Sequence, residues 1–210
     1  MSQPPSPTHR DRTLLQAHSL AEAHLYLMVQ SCSHCGQGPL LSATSLREAS
    51  GRPGRALLTM QAKCSHCHEE SWLQFELPEQ EEPRPGLDTR TNRINPTGEP
   101  SRILDVTQWV TLHRIVLNAA ERAADKAEAR ELKCEAAECL DEALRFYGAD
   151  SDLPPAKALF TEHSRRRIKD RPELYIRQAL LAQRQRLPSR DVAARDPARP
   201  ASRRWWQFWR

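Results

Sequence analysis

Two tetrapeptides carry the clearest chemistry in this chain: Cys32-Ser33-His34-Cys35 and Cys64-Ser65-His66-Cys67. Two residues between cysteines let both thiolates of a pair reach one metal ion from a tight turn, and a second such turn completes a tetrahedron of sulfurs. Gly36, directly after the first pair, suits the positive backbone angle that the turn requires. Under reducing conditions, paired cysteines indicate a metal or redox site before a structural disulfide. The redox alternative rests on the intervening histidine, which can lower a thiol pKa. Oxidoreductase pairs open a helix, however, and Gly36 and Pro39 oppose one here. His34, His66 and His68 lie beside the cysteines. Any of them could replace a sulfur or donate a hydrogen bond to one, and the simplest expectation is that they face solvent. Cys134 and Cys139 have no CxxC partner. Cys139 shares an apolar face with Ala136 and Ala143 and is expected to be a small core residue.

With these four cysteines in place, residues 20–78 resemble the zinc-ribbon class, in which two CxxC knuckles, each at a hairpin, share one zinc ion. The resemblance implies Cys32, Cys35, Cys64 and Cys67 as ligands of one structural Zn2+. A site closed by four sulfurs leaves no position for water or substrate, so catalysis by the metal is not expected. Zinc ribbons serve transcription, translation, chaperone and plain structural roles, so the resemblance leaves function open. Zinc release on oxidation, as in redox-switched chaperones, stays as an alternative.

The second constellation is Arg203-Arg204-Trp205-Trp206-Gln207-Phe208-Trp209-Arg210, which holds three of the five Trp. At about 100° per residue, Trp205, Trp206, Phe208 and Trp209 fall within an arc of about 160°. The three arginines and Gln207 occupy the opposite side. Strand alternation does not separate them, so the amphipathic pattern is helical. Aromatic rings beside cations suit an anionic membrane surface. They also suit a groove on a partner protein, where Trp and Arg are enriched among hot spots. So short a segment does not hold a helix in water, so folding would accompany binding.

Arg165, Arg166, Arg167 and Lys169 form a basic run that, with Arg52, Arg55 and Lys63, would serve a nucleic-acid binder. Phe160 and Tyr175 flank the run without interleaving it, which disfavours a single-strand stacking platform. The chain has no phosphate-cradling glycine loop, no H-E-x-x-H and no serine nucleophile elbow. The resulting expectation is a non-enzymatic zinc-binding adaptor or scaffold. Its tail tethers it to a membrane surface or a partner protein. Nucleic-acid binding and thiol redox chemistry are the alternatives.

The elements that must position these residues follow from punctuation and periodicity. Residues 1–12 read as a polar, proline-rich leader and 13–78 as an antiparallel β module. Residues 79–101 read as a linker or extended loop, 102–187 as an α-helical hairpin or bundle, and 188–210 as linker and tail. The fold class is therefore α+β. Strands are expected over His24 to Gln30, Leu40 to Leu46, Ala56 to Lys63 and Ser71 to Leu77, with a turn at Gly51 to Gly54. Ser101 to Tyr147 contains no Gly and no Pro. Its apolar phase runs through Val106, Trp109, His113, Val116, Ala120 and Ala123, then restarts at Leu132, Ala136, Cys139, Ala143 and Tyr147. Asp125 at the shift is a helix cap, which favours two helices over one. Asp152 before Pro154, and Asp170 before Pro172, are expected to cap two more.

Composition sharpens this reading. The chain has 210 residues and a formal net charge of +4. Pro188 to Arg210 holds six Arg and two Asp, and the remainder balances at 25 basic and 25 acidic side chains. The basic character belongs to the tail, which weakens a polyanion-binding role for the body. Residues 121–152 carry ten acids and five bases, and 153–187 nine bases and three acids. Mutually complementary helices account for that polarity. No signal sequence and no long apolar stretch is visible, so the expected location is cytoplasmic, with peripheral attachment at the inner face of the membrane.

Overall fold

The computed structural model describes residues 14–50, 52–79 and 94–189. The leader and the aromatic tail lie outside the described residues. Four strands form one sheet: β1 (Leu14–Gln16), β2 (Leu40–Ala49), β3 (Arg55–Cys64) and β4 (Glu70–Pro78), in the order β1-β4-β3-β2. β2, β3 and β4 pair antiparallel, and β1 runs parallel to β4. The helices are α1 (Leu20–Met28), α2 (Val106–Arg122), α3 (Lys126–Leu144), α4 (Glu162–Asp170) and α5 (Arg177–Gln185). The class is α+β, as the sequence indicates.

Alternation sorts the two faces of the sheet. Ala56, Leu58, Met60, Ala62 and Cys64 of β3 are buried, and Phe75 and Leu77 of β4 pack beside them. Tyr26 of α1 meets Phe75 edge-on, with ring centroids 5.8 Å apart. The opposite face is open to solvent and carries Leu14, Leu46 and Trp72, all exposed.

α1 replaces the strand expected over His24 to Gln30. Its residues are helix formers, and Ser19 accepts a hydrogen bond from the Glu22 N–H in a Ser-x-x-Glu start signal. The first cysteine pair therefore follows a helix, and only the second sits between two hairpin strands. The other strands fall where periodicity places them, and residues 52–54 form a turn into β3, while Gly51 lies outside the described residues.

The helical hairpin is also as expected. Asp105 caps α2 by accepting from the Thr107 and Gln108 N–H groups, and Gln108 returns a bond to the Asp105 N–H. Asp125 caps α3 through Ala127 and Glu128. Val106, Trp109, Val116, Ala120, Leu132, Ala136, Cys139 and Ala143 are buried, and Ala123 and Tyr147, expected on the same faces, are only half-buried against the core. His113 Nδ1 donates to the Ala136 carbonyl at 2.9 Å, and burial holds its pKa below the ordinary value. Cys134 is buried as well.

The two proline-led caps differ from expectation. Asp152 caps nothing; its carbonyl accepts from the Arg177 N–H. Pro154 and Pro155 hold the preceding backbone extended, and only a short 3-10 turn, Ala156–Ala158, follows. α4 starts at Thr161, whose side chain accepts from the Ser164 N–H. Asp170 is the last residue of α4, and Pro172 opens a 3-10 turn, Pro172–Tyr175, with no side-chain cap. A single cluster of buried side chains joins sheet and helices, running from Leu58 and Phe75 through Ile94 and Leu104 to Trp109 and Leu140.

Candidate metal centre

Strand register brings the two cysteine pairs together. β2 starts at Leu40 just after the first pair, and Leu40 lies opposite Cys64, where β3 enters the second. The Ser65 N–H donates to the Pro39 carbonyl at 3.1 Å and ties the two turns directly.

The turns repeat the same bonds. The N–H of the leading cysteine donates to the carbonyl five residues on: Cys32 to Gln37 at 2.6 Å, Cys64 to Glu69 at 2.9 Å. The N–H four residues on donates back to the carbonyl of the leading cysteine: Gly36 to Cys32 at 2.9 Å, His68 to Cys64 at 3.1 Å. The N–H two residues on points at its sulfur: His34 to Cys32 Sγ and His66 to Cys64 Sγ, both at 3.4 Å. Gly36 and His68 hold matching left-handed conformations, with φ 71° and 61°. Gly38 has its own reason to lack a side chain, because a Cβ there would lie 2.5 Å from the Gln30 carbonyl oxygen.

The four sulfurs lie within 4.8 Å of one another. Two of the sulfur pairs cross between turns, Cys32 with Cys67 and Cys35 with Cys64, each at 3.7 Å. A disulfide needs about 2.05 Å, so this is not one. A tetrahedron with metal–sulfur bonds of about 2.3 Å has edges of about 3.8 Å. The spacing therefore fits a single metal ion. Cys32 and Cys64 are buried, and Cys35 and Cys67 are half-buried. The backbone N–H of Cys67 is the main influence drawing the Cys64 thiol down to about 6, with the His66 N–H assisting and burial opposing. The Cys67 thiol is pushed up to about 12. The Glu69 N–H draws it down, but burial and the other three sulfurs outweigh that donor.

His34, His66 and His68 are exposed. The first two serve the sulfurs through their backbone N–H groups, a role independent of the imidazole. The basic run is partly engaged. Arg165 and Arg166 pair with Glu162, and Arg167 donates to Thr111 Oγ1 of α2 at 2.9 Å; Lys169 is exposed. Between the acidic and basic helices, Arg184 of α5 pairs with Asp141 of α3 at 2.7 Å. Arg203, Arg204, Trp205, Trp206, Phe208, Trp209 and Arg210 lie outside the described residues. No helix among the described residues is long and apolar enough to cross a membrane.

Sequence reasoning missed a polar junction near the start of α1. Asn95 is buried and fully bonded. Its Nδ2 donates to Glu142 Oε2 and the Glu99 carbonyl, both at 2.9 Å, while its Oδ1 accepts from the Thr97 N–H and hydroxyl. Arg145 pairs with Glu142 and donates to the Thr97 and Glu99 carbonyls. Glu22 of α1 is buried close by and accepts from the His18 N–H. Burial raises the pKa of Glu22, and it is the main cause raising Glu142 to about 8, with the charge of Glu22 adding to it. The signal for this junction was Asn95-Pro96-Thr97-Gly98, an Asx-turn sequence inside the stretch read as a linker. Comparison with family models, with curated proteins and with solved structures gives no match.

Proposed function

We propose that this chain is a non-enzymatic adaptor whose β module is closed by one structural Zn2+ on Cys32, Cys35, Cys64 and Cys67. The observation that carries the reading is the cluster of four sulfurs held by two turns with the same hydrogen bonds. Thiolate-only donor sets favour zinc or iron–sulfur centres, and a single tetrahedral sulfur cage suits zinc. Four sulfurs leave no open coordination position, so the metal supplies folding energy, on the order of 10–16 kcal/mol in zinc-finger peptides. In this reading the body presents surfaces and the aromatic–cationic tail attaches it to an anionic membrane surface.

Metal analysis of the purified chain tests it. One zinc per chain is expected, with Cys32→Ser and Cys64→Ser each losing the metal and the near-native circular dichroism together. A stably folded chain without metal would overturn the reading. Cadmium or cobalt substitution adds a direct view of the ligands, since four thiolates give strong charge-transfer absorption that a serine variant lacks.

A further inference from the structure

A cleft of about 290 Å³ opens at the ends of β1 and β4, where the chain turns from β1 into α1. Its polar walls are Gln16, His18, Arg55, Thr97, Glu99 and Arg102. Ligand clefts for drug-sized molecules start at about 300 Å³, so this one suits a small ligand.

Its charge selects the ligand. Arg102 is fixed by two partners: it donates to Gln16 Oε1 at 2.7 Å and pairs with Glu99 at 3.1 Å. Both members of that pair are more than half exposed, so the pair is weak and the guanidinium can turn to a stronger acceptor. The Arg55 side chain has no partner among the described residues and is half-buried in the wall. His18 meets an oxygen at each ring nitrogen: Nε2 faces the Pro100 carbonyl at 3.2 Å, and Nδ1 faces Thr97 Oγ1 at 3.3 Å. The Thr97 proton is already given to Asn95. These two contacts fix the orientation of the ring. Two guanidinium groups thus line the cleft against one carboxylate, Glu99.

We propose that this cleft binds a small phosphate-class dianion, with Arg55 and Arg102 as its direct ligands and the His18 ring as a fixed part of the wall. Guanidinium groups match phosphate geometry through paired N–H donors. Such an occupant would also brace the junction behind it, because His18 and Thr97 belong to both.

Calorimetric titration of the full chain with inorganic phosphate, at constant ionic strength in a non-phosphate buffer, tests this. Saturable binding in the millimolar range is expected. Arg55→Gln and Arg102→Gln should each weaken it about tenfold, the loss expected for one charge-assisted contact. Arg130→Gln, on the exposed side of α3, should leave it unchanged. Arg55→Gln removes no bond within the described residues, so its loss of binding is not a folding defect. Three results would each overturn the assignment: absence of saturable heat, equal affinity in Arg55→Gln and Arg130→Gln, or equal binding of acetate at matched ionic strength.

Discussion

Gly36 and His68 occupy the same place in two turns that make the same bonds, and only one of them is glycine. A side chain in the left-handed region costs roughly 1–2 kcal/mol. His68→Gly is therefore expected to stabilise the fold by about 0.5–1 kcal/mol, after the extra chain entropy of glycine is subtracted. Gly36→Ala is expected to destabilise by about 1 kcal/mol, from backbone strain alone, because nothing lies within 4 Å of the added carbon. Urea denaturation of the metal-loaded chain reads both; opposite signs are the result that matters. Glu142 gives the second prediction at this scale. Its folded pKa, about 8, lies above the ordinary carboxylate value. The folded state keeps a proton that the unfolded chain has released. Stability from this group is thus full below about pH 4.5 and is lost as pH rises to about 8. In Glu142→Gln the slope of stability against pH should flatten across that window, by up to about 1.4 kcal/mol per pH unit. Glu22 is raised as well, so some slope should survive until both are changed. An unaltered slope in the double variant would contradict the assignment.

Elements are held by caps more than by propensity. Asp105 is fully buried and serves two elements: one carboxylate oxygen takes the α2 N–H groups, and the other accepts from the Phe160 N–H just before α4. Thr107 continues the link to Ser164 at 2.8 Å. Asp105→Ala removes a cap and strands the Phe160 donor, which should cost about 3 kcal/mol. Asp105→Asn should restore a part, since one oxygen remains to accept; thermal unfolding of the two variants compares them directly. These details show where the sequence was legible. β2 to β4 and the α2–α3 hairpin follow from periodicity and from single caps, because there the local signal and the tertiary packing agree. α1 was misread because an apolar run buried on nearly all sides has no period to distinguish helix from strand. The α4 start was misread because a proline-led segment imitates a helix start, yet Pro155 stays extended and only a three-residue 3-10 turn follows it. In the candidate metal centre, the four cysteines that cluster were legible from spacing, whereas the donors to sulfur are backbone N–H groups and leave no trace in residue type.

At the scale of the molecule, the sheet and the helices share one core, and the polar segment around Asn95 fastens them where the acidic end of α3 meets α1. That junction was invisible from composition because its residues come from three separated stretches, each ordinary alone. The tail is the remaining element, and its role is testable on the intact chain. Flotation with vesicles containing anionic lipid should require residues 203–210, fall with salt, and fail for neutral vesicles. Equal flotation of a chain ending at Pro188 would exclude a membrane role for the tail. Loss of partner capture without loss of flotation would assign it to protein binding instead.

The unequal burial of the four sulfurs has a kinetic consequence. Each turn contributes one sheltered sulfur, Cys32 or Cys64, and one at the rim, Cys35 or Cys67. An incoming chelator or thiol therefore meets one ligand from each turn before it meets both from either. If the cluster holds an ion as proposed, exchange should proceed by loosening both turns together, without passing through a species in which one intact pair still grips it. In the zinc-loaded chain of the proposal, metal loss and opening of the β2–β3–β4 end should then share a single rate, with no half-released state long-lived enough to trap.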